Sequence, residues 1–154
     1  MVHSYVNLSS VRMEDGGLYA CVARNGVGQA EHKARLNVIG PPRIRDMANV
    51  TALAGRNIYI HCPVSGYPIH RITWQKGGRA LPQNHRQRTF PNGTLSIADV
   101  QRSTDSGWYT CIAQDPDGTS ARKQVALDVI IPPALNPFAF PEDLTEGKRA
   151  GVAC

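Results

Sequence analysis

The chain has 154 residues, 42% hydrophobic and 19% charged, with a formal net charge of +5. This is a globular composition with room for one ordinary domain and pieces of others, and no apolar run reaches the roughly 18 residues of a membrane span. The surplus charge fits a solvated surface or an anionic partner such as a sulfated glycan; zinc-ligand spacing, a basic helical stripe and aromatic RNA-binding motifs are all missing, so no nucleic-acid partner is expected.

The opening residues, MVHSYVNLSSV, have neither a basic n-region nor an apolar h-region and do not read as a signal peptide. They carry the first of three N-glycosylation sequons, at Asn7, expected to face out beside an inward Leu8. The phrase DGGLYAC follows, with Asp15, Gly17, Tyr19 and Cys21, and then the alternating segment QAEHKARLNV. Pro41-Pro42 read as a short, stiff linker, because proline fixes φ and pushes the preceding residue to extended geometry. A second sequon lies at Asn49.

From Pro41 to Ile131 the pattern has period two. Ile58, Ile60 and Cys62 share one face of NIYIHC; Ile72 and Trp74 point together in RITW; Leu95 and Ile97 do in TLSI. Tyr109, Cys111 and Ala113 share a face of WYTCIA, as do Val125, Leu127 and Val129 of VALDV. Turn clusters separate these runs: SGYP, KGGR, FPNG, STDSG and DPDG. No stretch sustains a helical period, so short strands with regular turns predict an antiparallel β-sandwich. The third sequon, Asn92, falls in one of the turns.

The segment is also the basic part of the chain, with eleven basic and six acidic residues. Arg71, Lys76, Arg79, Arg86 and Arg88 are either a solvated face or a patch for heparan sulfate. Trp108 faces away from the Tyr109 side, which makes it either a binding hot spot or a packing residue against a neighbouring domain. Hydrolase, zinc-protease, P-loop and dinucleotide signatures are absent, so no enzyme and no cofactor are expected. His61 next to Cys62 is not a metal pair, because alternation puts the two on opposite faces.

DSGWYTC, ending at Cys111, repeats DGGLYAC after about ninety residues, and a second double proline, Pro132-Pro133, follows as the first followed DGGLYAC. AGRNIYIHC, ending at Cys62, is matched by EGKRAGVAC, ending at Cys154. The repeat divides the chain into residues 1–40, the end of one unit; 41–131, a whole unit; and 132–154, the start of another.

Cys62, Trp74 and Cys111, with D-x-G-x-Y-x-C repeated, resemble the immunoglobulin superfamily. The resemblance implies an all-β, immunoglobulin-like antiparallel β-sandwich of the intermediate set, one complete domain between two partial ones. It implies a Cys62–Cys111 bridge, worth ~4 kcal/mol for its 49-residue loop. Cys21 would then pair before Met1, and Cys154 beyond the end. Trp74 would pack on the bridge, the Tyr109 hydroxyl would bond backbone, and Asp105 and Gly107 would shape that corner. Bridged cysteines and sequons place such a chain in an oxidising compartment.

CPVSGYPI ahead of the tryptophan, with FPNGTL after it, resembles the arthropod Down syndrome cell adhesion molecule (Dscam) family. That resemblance implies part of a cell-surface receptor on the extracellular side of the plasma membrane, whose span lies outside this chain. Its partner would be the same protein on an opposing cell, in axon guidance and dendrite self-avoidance. Immune recognition of microbial or glycan surfaces, and a structural spacer array, are the alternatives.

Overall fold

The structure, a computed structural model, describes residues 3–153, so the expectation for Cys154 lies outside the described residues. A 3-10 turn, Met13–Asp15, leads into β1 (Gly17–Arg24), which pairs antiparallel with β2 (Gln29–Leu36). The Asn25 side-chain oxygen accepts from the amides of Val27 and Gly28, both at 2.9 Å, and this closes the hairpin. Next come β3 (Gly40–Ile44), β4 (Val50–Leu53), β5 (Ile58–His61), β6 (Val64–Tyr67), β7 (Arg71–Lys76) and β8 (Arg79–Ala80). They are followed by β9 (Gln87–Thr89), β10 (Thr94–Ile97), a helical turn α1 (Arg102–Asp105), β11 (Gly107–Gln114) and β12 (Ser120–Ile130).

Two layers enclose one core. One layer is a five-stranded sheet in the order β4-β12-β11-β7-β8, with β4 parallel to β12 and the other pairs antiparallel. The other holds β5-β10-β9, with β3 paired to β6 beside it. The predicted alternation is what fills the space between them. Tyr109, Cys111 and Ala113 of β11, Val125 and Val129 of β12, and Leu95 and Ile97 of β10 are fully buried, while the odd-face neighbours are not. Burying each large apolar side chain stabilises the fold by roughly 1.5–3 kcal/mol.

One sequence expectation is corrected. Pro41 and Pro42 are not a linker but the middle of β3, and Pro42 is buried. The ladder to β6 pairs Gly40 with Tyr67 and Arg43 with Ser65 and is irregular between. Prolines have no N–H to give a ladder, and an edge strand tolerates that loss. After Ile130 the described residues form no strand.

One joint between the layers is a backbone carbonyl. Gly93 O accepts from the Cys62 amide at 3.0 Å and from the Trp74 indole N–H at 3.1 Å. The buried Gly93 can serve both because it sits at φ 87°, where a Cβ would meet Cys62 O at 3.1 Å and Ile72 Cδ1 at 3.2 Å. Gly78 has a similar φ of 77° but open space around it. Gly93→Ala is therefore expected to lower stability by about 2–3 kcal/mol, and Gly78→Ala by about 1 kcal/mol. Urea unfolding followed by tryptophan fluorescence checks the pair.

Candidate functional site

The chemistry of this chain is concentrated at the core bridge and at the corner that feeds β11. Cys62 and Cys111 are bonded, with an S–S distance of 2.04 Å and Cα atoms 6.3 Å apart. Trp74 is the register partner of Cys111 across β7 and β11, so its indole lies over the bridge in the same buried cluster. Cys21, the matching cysteine of the first copy, is exposed and unbonded.

At the corner, α1 turns the chain back so that Asp105 is 1% exposed. A buried carboxylate is costly unless ion-paired and hydrogen-bonded. Arg86 meets it with both terminal nitrogens, Nη1 donating to Oδ2 at 2.7 Å and Nη2 to Oδ1 at 3.2 Å. The Gln101 amide donates to Oδ2 at 2.8 Å. Arg86 Nη1 also reaches the carbonyls of Ala98, at 3.2 Å, and Asp99, at 2.9 Å. The Tyr109 hydroxyl donates to the backbone carbonyl of Asp105 at 2.8 Å. Gly107, at φ 130°, lets the chain enter β11 directly after this turn.

Electrostatics follow from burial. The Asp105 carboxylate, by hydrogen bonding, raises the pKa of the Arg86 guanidinium. Burial pushes the Tyr109 phenol up, and the Asp105 charge adds to it. Lys76 donates to the Thr104 carbonyl at 2.6 Å, with its ammonium 5.0 Å from the centre of the Tyr109 ring. Its burial holds it below the usual lysine range.

The basic residues named from the sequence as a solvated face or an anion patch fall in different settings. Arg86 is spent on Asp105, with only 15% of its side chain exposed. Lys76 is turned onto Tyr109. Arg71 is exposed on β7 and donates to Gln114 Oε1 at 2.9 Å, and Arg79 is exposed on β8. Arg88 lies on β9, in the opposite layer. Residues that are neighbours in sequence are thus divided between two sheets, with Arg86 mostly enclosed.

The sequons fall in three settings. Asn7 is exposed outside any strand. Asn92 is exposed in the turn before β10, its side-chain oxygen accepting from the Thr94 amide at 3.0 Å. Asn49 is exposed just ahead of β4, and its side-chain oxygen accepts from the Ala126 amide at 3.2 Å. Trp108 is 59% exposed on the outer face of the five-stranded sheet.

Sequence reasoning missed two things. It placed Arg86 on the surface, although an inward Asp105 demands a cation; nothing local says which of the arginines supplies it. It read FPNG only as a turn, although the Trp74 indole needs an acceptor and a buried glycine carbonyl is a natural one.

Among the described residues no group of His, Cys, Asp and Glu is arranged to hold a metal, and no helix is long and apolar enough to cross a membrane. An immunoglobulin-domain family model matches residues 41–115. The cell adhesion molecule Dscam2 of Drosophila melanogaster is 50% identical over 153 residues, 99% of this chain and 7% of that protein. Human cell adhesion molecule DSCAM is 46% identical over 154 residues, 99% of this chain and 8% of its own length. The chain thus spans less than a tenth of the curated relatives it matches. Among solved structures, the N-terminal eight immunoglobulin domains of a Down syndrome cell adhesion molecule superpose with a TM-score of 0.74 at 47% identity, over 88% of this chain and 20% of that one.

Two outcomes are expected at the corner. Arg86→Ala strands a buried carboxylate and should cost about 3 kcal/mol or more, whereas Arg88→Ala should stay within about 0.5 kcal/mol; chemical denaturation separates them. The phenol of Tyr109 binds its proton more tightly folded than unfolded. Its contribution is whole below about pH 10, the ordinary phenol value, and is lost as pH rises above it. The gap in urea midpoint between wild type and Tyr109→Phe should therefore narrow between pH 8 and pH 11, values chosen to bracket that phenol value.

Proposed function

The chain belongs to the Dscam family of immunoglobulin-superfamily cell adhesion molecules, and on that premise we propose that it is an extracellular segment of a multi-domain receptor for homophilic cell–cell adhesion. The observation that carries this reading is identity near 50% running end to end with cell adhesion molecules, rather than over the core motif alone. A core cysteine pair and a bridge suited to an oxidising compartment support the extracellular side. Axon guidance and dendrite self-avoidance are the settings the family resemblance suggests.

Within that receptor the segment 41–131 serves as a stiff spacer. The features that favour this are structural. The interior is filled by side chains, the corner charges are spent on one another, and the basic residues are dispersed. The same reading takes residues 1–40 and 132–154 as parts of flanking immunoglobulin units.

Fluorescent beads test the proposal. Beads bearing the complete ectodomain of the receptor are expected to aggregate with one another, and beads bearing this chain alone to stay dispersed. Dispersed ectodomain beads would overturn the homophilic reading. Aggregation by the chain alone would overturn the spacer role and put recognition on this segment.

A further inference from the structure

An exposed tryptophan on a β-sheet needs an explanation, and the register supplies one. Trp108 of β11 pairs with Ala126 of β12. The Ala126 amide points away from β11, toward Asn49, and donates to its side-chain oxygen at 3.2 Å. Trp108 and Ala126 are therefore a pair without hydrogen bonds between them, the kind whose side chains lie closest. Asn49 immediately precedes β4, and continuing the Val50–Leu127 register by one residue sets it beside Ala126, with Trp108 on the far side of Ala126, so Asn49 and Trp108 are about 10 Å apart, two strand spacings. The residue between them, Ala126, has only a methyl side chain.

The hydrogen bond also orients the amide. An N–H donor requires the oxygen of Asn49, which leaves Nδ2 as the free atom, and among the described residues none accepts from it. Thr51 completes the sequon and lies on the same face, two residues along from Asn49, opposite to the inward Ala52.

We infer that Asn49 carries an N-linked glycan whose first sugars lie over Ala126 and stack on the indole of Trp108. In the covalent step, Asn49 Nδ2 forms a bond to the anomeric carbon of an oligosaccharide carried on a polyprenyl diphosphate. Nδ2 gives up one proton and the lipid diphosphate leaves. The fit is chemical as well as spatial. A sugar ring has an apolar C–H face for the indole and hydroxyls for its surroundings. Around Trp108 the outer face offers hydrogen-bonding groups, Thr110 and Gln124, whose side chains meet at 3.5 Å. A single aromatic bordered by a methyl and two polar groups suits a tethered sugar better than a protein partner, whose interface needs a broader apolar centre. The glycan's cover would remove Trp108 from the surface open to other chains.

Collisional quenching tests this directly, because the only other tryptophan, Trp74, is 1% exposed and shielded from a collisional quencher such as acrylamide. The full chain is secreted from insect cells behind a cleaved leader, and glycopeptide mass spectrometry reads occupancy at Asn49. Stacking covers one of the two indole faces, so acrylamide quenching should rise about twofold in Asn49→Gln and in Thr51→Ala. Thr51→Ala keeps the asparagine and its bond to Ala126, which separates loss of the glycan from loss of that bond. Enzymatic removal of glycans from the folded wild-type protein should give the same rise. Asn92→Gln, which removes the sequon in the turn before β10, should leave quenching unchanged. An unmodified Asn49 in the secreted protein, or equal quenching with and without its glycan, overturns the inference.

Discussion

A carboxylate that is almost wholly removed from water organises this molecule. Arg86 comes to the Asp105 side chain with two hydrogen bonds and the Gln101 amide with a third, which offsets the cost of burying it inside the sandwich. Arg86 precedes β9 in one layer, while Asp105 precedes β11 in the other, so a single ion pair fastens the two sheets at one end. The same guanidinium satisfies the carbonyls of Ala98 and Asp99 in the connection between them. At the middle of the sandwich, the bridge and Trp74 hold the sheets covalently and by packing, with Gly93 as the common acceptor. The sandwich is thus fastened at two separate heights by different physics.

The two copies of the repeated phrase show which part of this design is local. In the first, the Tyr19 hydroxyl donates to the Asp15 carbonyl at 2.8 Å, the same bond and the same length as Tyr109 to Asp105. Yet Tyr19 is partly open to solvent and Cys21 is exposed, while their counterparts are fully buried. The corner therefore forms from five successive residues of chain. Burial of the tyrosine and bonding of the cysteine come from a second sheet, and among the described residues the hairpin of β1 and β2 pairs with no further strand.

Much of the fold was legible because burial on a two-sided strand leaves a period-two trace. The faces of β10, β11 and β12 could be read directly from TLSI, WYTCIA and VALDV. What could not be read were pairings set by three-dimensional proximity. Arg86 looked like one more basic residue in a basic run, since charge is visible in sequence and direction is not. Pro41-Pro42 looked like a linker, because proline's stiffness is local while its tolerance on a sheet edge depends on what lies alongside. The row from Asn49 to Trp108 joins residues far apart in sequence and exists only once β4, β12 and β11 are in register.

The irregular strand β3 has a further effect. A strand at the rim of a sheet presents unused amides and carbonyls to any extended chain that approaches it. In β3, two successive residues have no amide hydrogen to offer, and the ladder is already broken between Gly40 and Arg43. An incoming strand would find gaps where it needs donors. The double proline therefore guards this rim against strand exchange and fibrillar growth, a protection of value to any molecule held at high density beside copies of itself.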